Sequence, residues 1–242
     1  MMLFAFCGSS SVRQFQRDFA GSFSITGFSG ATIKGLMQKT GGVGHGRVIR
    51  HIARAPQKKA LFLMLGNADL DFTYYRNFCQ EMRLDEDDFF NSRVTIYSAF
   101  LQHILNDDAE TGEIAVLGVL APQLCPLRDE VFPAVIAAHT GVPEARVREA
   151  GRHLDLSHAA RLARTLRFND RLEAGLPRHP KLRLHRIDHR MLESEGRLAA
   201  PFFPAQPREH HAAKAETFRC WREILAEHVL QYAPRPPAVA AA

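Results

Sequence analysis

No stretch of the sequence approaches the roughly 20 consecutive apolar residues that a helix needs to cross a bilayer, so membrane insertion is not expected. Cysteine is scarce. Cys7, Cys79, Cys125 and Cys220 stand far apart with no CxxC spacing, which argues against compact zinc or redox motifs and reads as four free thiols. The chain also lacks an aromatic-rich basic motif, so its formal net charge of +5 does not imply a nucleic-acid partner. Arg161, Arg164, Arg167 and Arg171 recur at spacings of three and four, as an exposed, solvated helix face would place them. The opening run Met1 to Cys7 is apolar, but it is short and has no basic leader. No signal peptide is therefore expected, and the cytoplasm is the expected location. No internal repeat and no domain linker stand out.

What is present is the composition of an ordinary soluble domain, with 46% hydrophobic and 24% charged residues. The length of 242 residues allows a substantial core. One domain over residues 1–233 is expected, followed by a disordered Pro/Ala-rich tail, 234–242. Apolar runs closed by turn residues alternate with helical periodicity, which implies strands joined by helices. Strands are expected at Leu3 to Cys7, Ser22 to Gly27, Ala60 to Leu65, Ile114 to Leu120 and Leu182 to Ile187. The longer helices should run over Val12 to Ala20, Phe72 to Met82, Asp87 to Leu105, Asp129 to Ala138, Ser157 to Ala174 and Ala212 to Gln231, with a shorter one ending near Gln38. The expected fold is α/β, a three-layer α/β/α sandwich with a mainly parallel, flavodoxin-like sheet. The glycine-rich stretch Thr40 to Gly46 neither joins a strand directly to a helix nor ends in Lys-Ser/Thr, so it reads as a loop rather than a phosphate cradle.

In an open parallel sheet, reactive groups gather at the carboxyl ends of the strands. Three polar clusters fall there: Gly8-Ser9-Ser10-Ser11, Ser29-Gly30, and Gly66-Asn67-Ala68-Asp69. A serine at a strand-to-helix turn exposes its hydroxyl, a histidine base activates it, and nearby N–H groups stabilise the oxyanion. Each residue has a plainer reading too. Ser10 would cap the following helix, Gly30 would make a tight turn, and Asn67 and Asp69 would cap the helix after the third strand. Tyr74 and Tyr75 beside Phe72 suit a core or rim better than a sugar-stacking platform.

At these clusters the chain resembles the SGNH (GDSL-like) hydrolases, in particular divergent bacterial members found with polysaccharide biosynthesis. Phe6-Cys7-Gly8-Ser9-Ser10 resembles the first block, Gly-Asp-Ser, with Ser10 at the nucleophile and Ser9 in place of aspartate. Ser29-Gly30-Ala31-Thr32 resembles the second block and places Gly30 at the oxyanion-hole glycine. Gly66-Asn67-Ala68-Asp69 resembles the third, Gly-x-Asn-Asp, but Ala68 occupies the oxyanion asparagine's place and Asn67 is displaced by one. Phe168-Asn169-Asp170-Arg171-Leu172 resembles the late helix, with its Asn-x-x-Leu signature.

The fifth block, Asp-x-x-His, has two candidates. Asp155-Leu156-Ser157-His158 matches the spacing, yet a helix and a strand still follow it, and its Asp or Ser suits a helix cap. Glu209-His210-His211 stands directly before the last helix, but Arg208 occupies the aspartate position, leaving Glu209 or Asp188 to orient the imidazole. The resemblance thus implies a serine esterase, acylhydrolase or acyltransferase. Ser10 would be its nucleophile, His211 or else His210 its base, and Ser10, Gly30 and Asn67 its oxyanion donors. The implied substrate is an O-acylated carbohydrate or small molecule, with no cofactor. No metal is expected, since the adjacent histidines have no third ligand at a recognisable spacing. Two rival readings are a non-catalytic SGNH-like saccharide-binding module and a doubly wound domain that binds a nucleotide or phosphosugar.

Overall fold

A computed structural model describes residues 2–16, 23–38 and 44–229. The expected tail, the end of the helix after the first strand and most of the glycine-rich stretch lie outside these residues. The sheet has strands β1 (Leu3–Ser9), β2 (Phe23–Phe28), β3 (Lys59–Met64), β4 (Ile114–Leu120) and β5 (Leu182–His185). All pair in parallel, in the order β2-β1-β3-β4-β5. This is the flavodoxin-like order, and its topological switch point lies between β1 and β3.

Central strands of a parallel sheet are covered on both faces, and they accordingly read as continuous apolar runs. Every residue of β3 is buried, as is all of β1 after Leu3. Alternation along β1 sends Ala5 and Cys7 to one layer of core and Phe4 and Phe6 to the other. The first layer is closed by α1 (His45–Arg54), α2 (Tyr74–Glu81), α3 (Glu86–Thr111), α4 (Phe132–Thr140) and α5 (Glu144–Ala150), with part of α6 (His158–Gly175). The second is closed by the 3-10 turn Ser10–Gln16, the short α7 (Asp188–Met191) and α8 (Lys214–Val229). The molecule is a three-layer α/β/α sandwich.

Several expectations change in detail. The segment after β1 is a 3-10 turn where an α-helix was expected. Helix α1 starts inside the glycine-rich stretch, where Gly44 takes the left-handed conformation and hands the chain to His45. Its amphipathic pattern is short and lies directly behind loop-like glycines, which masks it. Helix α5 was likewise not anticipated. The α6 arginines do not form a solvated face: Arg161 and Arg164 are buried. Arg161 pairs with Asp129 at 2.8 Å and Arg164 with Glu86 at 2.8 Å, while Arg167 and Arg171 pair with Glu86 and Asp87. The acids that neutralise this row come from α3 and the α4 approach, so helical spacing alone could not reveal them. No helix among the described residues is long and apolar enough to cross a membrane.

Candidate active site

The carboxyl ends of β1 and β3 approach closely because Gly8 has no side chain. A Cβ there would lie 2.0 Å from the Met64 carbonyl oxygen. Strand β1 then ends at Ser9, and Ser10 opens the 3-10 turn. At the opening of such a turn the N–H groups have no intrahelical partner. Aromatic packing brings the far end of the chain to this point. Phe15 of the turn packs against Phe218 and Trp221 of α8, with ring centroids 6.2 and 6.4 Å apart. The segment before α8 is fastened by Ala213 N–H donating to the Phe202 carbonyl at 2.9 Å.

His211, in that segment, meets Ser10 across 201 positions of sequence, with Ser10 Oγ 2.8 Å from His211 Nε2. On the other side of the ring, Nδ1 lies 2.6 Å from Glu209 Oε1, which also accepts the His211 backbone N–H at 2.9 Å. A carboxylate accepting at Nδ1 fixes the tautomer with its proton there, leaving the Nε2 lone pair to face the serine hydroxyl. Burial alone would raise the Glu209 pKa, but donation from the His211 backbone and ring outweighs it, holding the carboxyl below its ordinary range. Glu209 is therefore ionised at neutral pH.

His210 has a different setting. Its ring lies 4.9 Å from both Phe72 and His139 and 3.9 Å from His211. Burial, reinforced by the neighbouring histidines, lowers its pKa to about 4. It stays neutral, and among the described residues Ser10 is hydrogen-bonded to the His211 ring and not to that of His210. Glu209, His210 and His211 also have side-chain atoms close enough to share a metal ion. Both ring nitrogens of His211 are already engaged by Ser10 and Glu209, so metal ligation would dismantle the Ser10–His211–Glu209 chain.

Two expected participants are used elsewhere. Asp188 does not orient His211; it is buried and holds Arg186 at 2.8 Å, the Asn169 amide at 2.8 Å and the His189 backbone N–H at 2.9 Å. Burial would raise its pKa, but these donors win and lower it. With Asn169 also donating to the Pro122 carbonyl at 3.0 Å, this network ties α6 to the ends of β4 and β5. Asn67 reaches the cavity, but its amide donates to the Gln123 carbonyl at 3.0 Å. With the Gln123 N–H also 3.4 Å from Asn67 Oδ1, the amide is engaged at Gln123 rather than held ready as an oxyanion donor.

Asp69 caps no part of its own helix. Fully buried, it accepts the Ile33 N–H at 2.6 Å and Arg93 Nε at 2.9 Å, tying the segment after Gly30 to the end of β3. Burial pushes its pKa up to about 6 against the pull of these donors, so it is ionised at pH 7. Gly30 itself has a φ of 66°, the left-handed region where glycine is at ease. Ser10, Gly30, Asn67, Asp71, Phe72 and His139 share one cavity of about 500 Å³. Asp71 and Phe72 enter its wall on a π-type turn, Asp69–Thr73, an irregularity often found at functional sites and one that helical periodicity cannot reveal.

The competing Asp-x-x-His is built into a helix start. Ser157 Oγ accepts the Ala160 N–H at 3.3 Å, Asp155 accepts the Ser157 N–H at 2.9 Å, and His158 Nε2 lies 3.0 Å from the Cys125 carbonyl. Replacing His158 with alanine is expected to leave ester turnover within about threefold of the parent. A folded variant with abolished turnover would move the base from His211 to His158.

No known family model matches the chain, and no curated protein matches it. Solved structures do resemble it in fold. A Streptococcus pneumoniae protein proposed to be a platelet activating factor superposes with a TM-score of 0.55 at 13% identity, covering 93% of this chain and 83% of that one. An Agrobacterium tumefaciens protein proposed to be an arylesterase gives 0.50 at 12% identity, covering 97% of this chain and 100% of that one. At these identities the likeness is one of fold: the chain shares the three-layer α/β/α architecture of these proteins.

Proposed function

We propose that the protein is a serine esterase or acyltransferase acting on O-acyl groups of a carbohydrate or similar small molecule. The observation that carries this reading is the unbroken chain from Ser10 Oγ through His211 to Glu209. Ser10 Oγ attacks the ester carbonyl while His211 Nε2 takes its proton. The resulting oxyanion is held by the backbone N–H groups of Ser10 and Gly30. Collapse breaks the bond to the alcohol, which leaves with the proton from Nε2, and the acyl group stays on Ser10. Water, or a second alcohol in transfer, then gives its proton to Nε2 and attacks the acyl-serine; the bond to Ser10 Oγ breaks and Oγ takes that proton back from Nε2, restoring Ser10 and His211. Carbohydrate preference rests on the family resemblance; Phe72 in the cavity wall stacks on the His139 ring with centroids 4.5 Å apart.

The reading expects slow catalysis, because losing one oxyanion donor costs roughly 3–4 kcal/mol of transition-state stabilisation and Asn67 is engaged elsewhere. That same engagement favours the second reading, a binding module that keeps the crevice without turnover. Hydrolysis of a short-chain aryl ester by the parent protein, absent in Ser10→Ala, supports the enzyme. Saccharide binding without turnover of any ester in a broad acyl panel supports the module.

A further inference from the structure

Among the described residues, the wall of the Ser10 cavity carries one permanently charged side chain, Arg76 of α2. It is exposed, and among the described residues no carboxylate pairs with it. Arginines nearby behave otherwise. Arg146 of α5 holds Glu149 at 2.8 Å, and all four α6 arginines hold carboxylates. A guanidinium offers five N–H donors in a fork suited to two oxygens of one anion. We infer that the cavity takes esters bearing a carboxylate or phosphate, seated on Arg76 while the ester carbonyl lies over Ser10. This inference rests on the esterase reading for its chemistry, though not for its binding.

The surrounding charges favour an anion. Asp71 is the one carboxyl in the cavity wall among the described residues, and burial pushes its pKa up to about 8 against the pull of the Asn67 amide and Arg161 behind it. It is therefore neutral at pH 7 and does not repel the ligand. Glu209 does not line this cavity and is committed to His211. Asp69 is sealed beneath it by Arg93 and the Ile33 N–H. His210 is neutral for the reason given above. A volume of about 500 Å³ suits a molecule of monosaccharide size with one charged substituent.

The test uses matched esters: 4-acetoxybenzoate against its methyl ester, and the mono-4-nitrophenyl ester of glutarate against 4-nitrophenyl butyrate. For at least one pair, the parent protein should turn over the anionic ester with a kcat/KM about tenfold above the neutral one. Arg76→Gln should erase that preference, chiefly through KM, while leaving the neutral ester within about twofold. Raising the salt to about 0.5 M should shrink it, since the Debye length then falls well below its physiological value. Equal rates for both members of both pairs, or a preference that survives in Arg76→Gln, would overturn the inference. Silence toward every ester would overturn the esterase reading instead. Calorimetric binding of the same esters to Ser10→Ala then decides the point. Tighter binding of an anionic ester that is lost in Ser10→Ala/Arg76→Gln upholds the anion site, and equal affinities reject it.

Discussion

Replacing His211 with alanine is expected to lower kcat/KM for a short-chain aryl ester by roughly 10³-fold, within the range that general acid–base catalysis supplies. The effect is large because one ring serves twice, taking the Ser10 proton through Nε2 and later returning it to the leaving alcohol. No neighbour replaces it. His210 is turned toward Phe72 and His139, and its depressed pKa makes it a poor proton acceptor at neutral pH. The variant should fold normally, since His211 lies in a segment held by the Ala213–Phe202 hydrogen bond rather than by its own ring. The loss should appear in kcat with little change in KM, as expected for an interaction made in the transition state. An activity within tenfold of the parent would remove His211 from the mechanism.

The largest effect on stability is expected at Asp69. Removing one partner of a buried ion pair leaves the other charge uncompensated and costs about 3–5 kcal/mol. Asp69→Ala would strand the Arg93 guanidinium, whose side chain is 7% exposed, and free the Ile33 N–H as well. Against a typical total stability of about 5–15 kcal/mol, that is a major fraction. The urea midpoint should fall sharply. The raised pKa of Asp69 means that its donors offset only part of the cost of burying its charge. Replacing the pair together, as Asp69→Leu/Arg93→Met, should therefore recover part of the loss. A midpoint for Asp69→Ala within error of the parent would show that the pair carries no stability.

Local pattern revealed the sheet well because a buried parallel strand advertises itself. Strand β4 occupies Ile114 to Leu120 as expected, and the apolar run of β3 is displaced by one residue. The meeting of Ser10, Gly30 and His211 around one crevice followed from chain order combined with the rule that loops converge at the strands' carboxyl ends. What stayed hidden depends on partners distant in sequence. Nothing local to Asp188 announces that Arg186 and Asn169 hold it, and nothing local to Asn67 announces the Gln123 carbonyl. The choice between Glu209 and Asp188 turned on a tight loop, in which a carboxylate only two residues before the histidine reaches Nδ1. Asp71 and Phe72 were concealed by the π-type turn, which shifts the face that α-helical spacing assigns to each residue.

The central claim is that Ser10 is a nucleophile activated by His211, and the most direct test is covalent. Incubation with a fluorophosphonate probe, followed by peptide mass spectrometry, is predicted to give one adduct, located on Ser10. Labelling should be absent in Ser10→Ala and strongly slowed in His211→Ala. An adduct on Ser9, Ser11 or any other residue, or no adduct on the folded parent protein, would contradict the account.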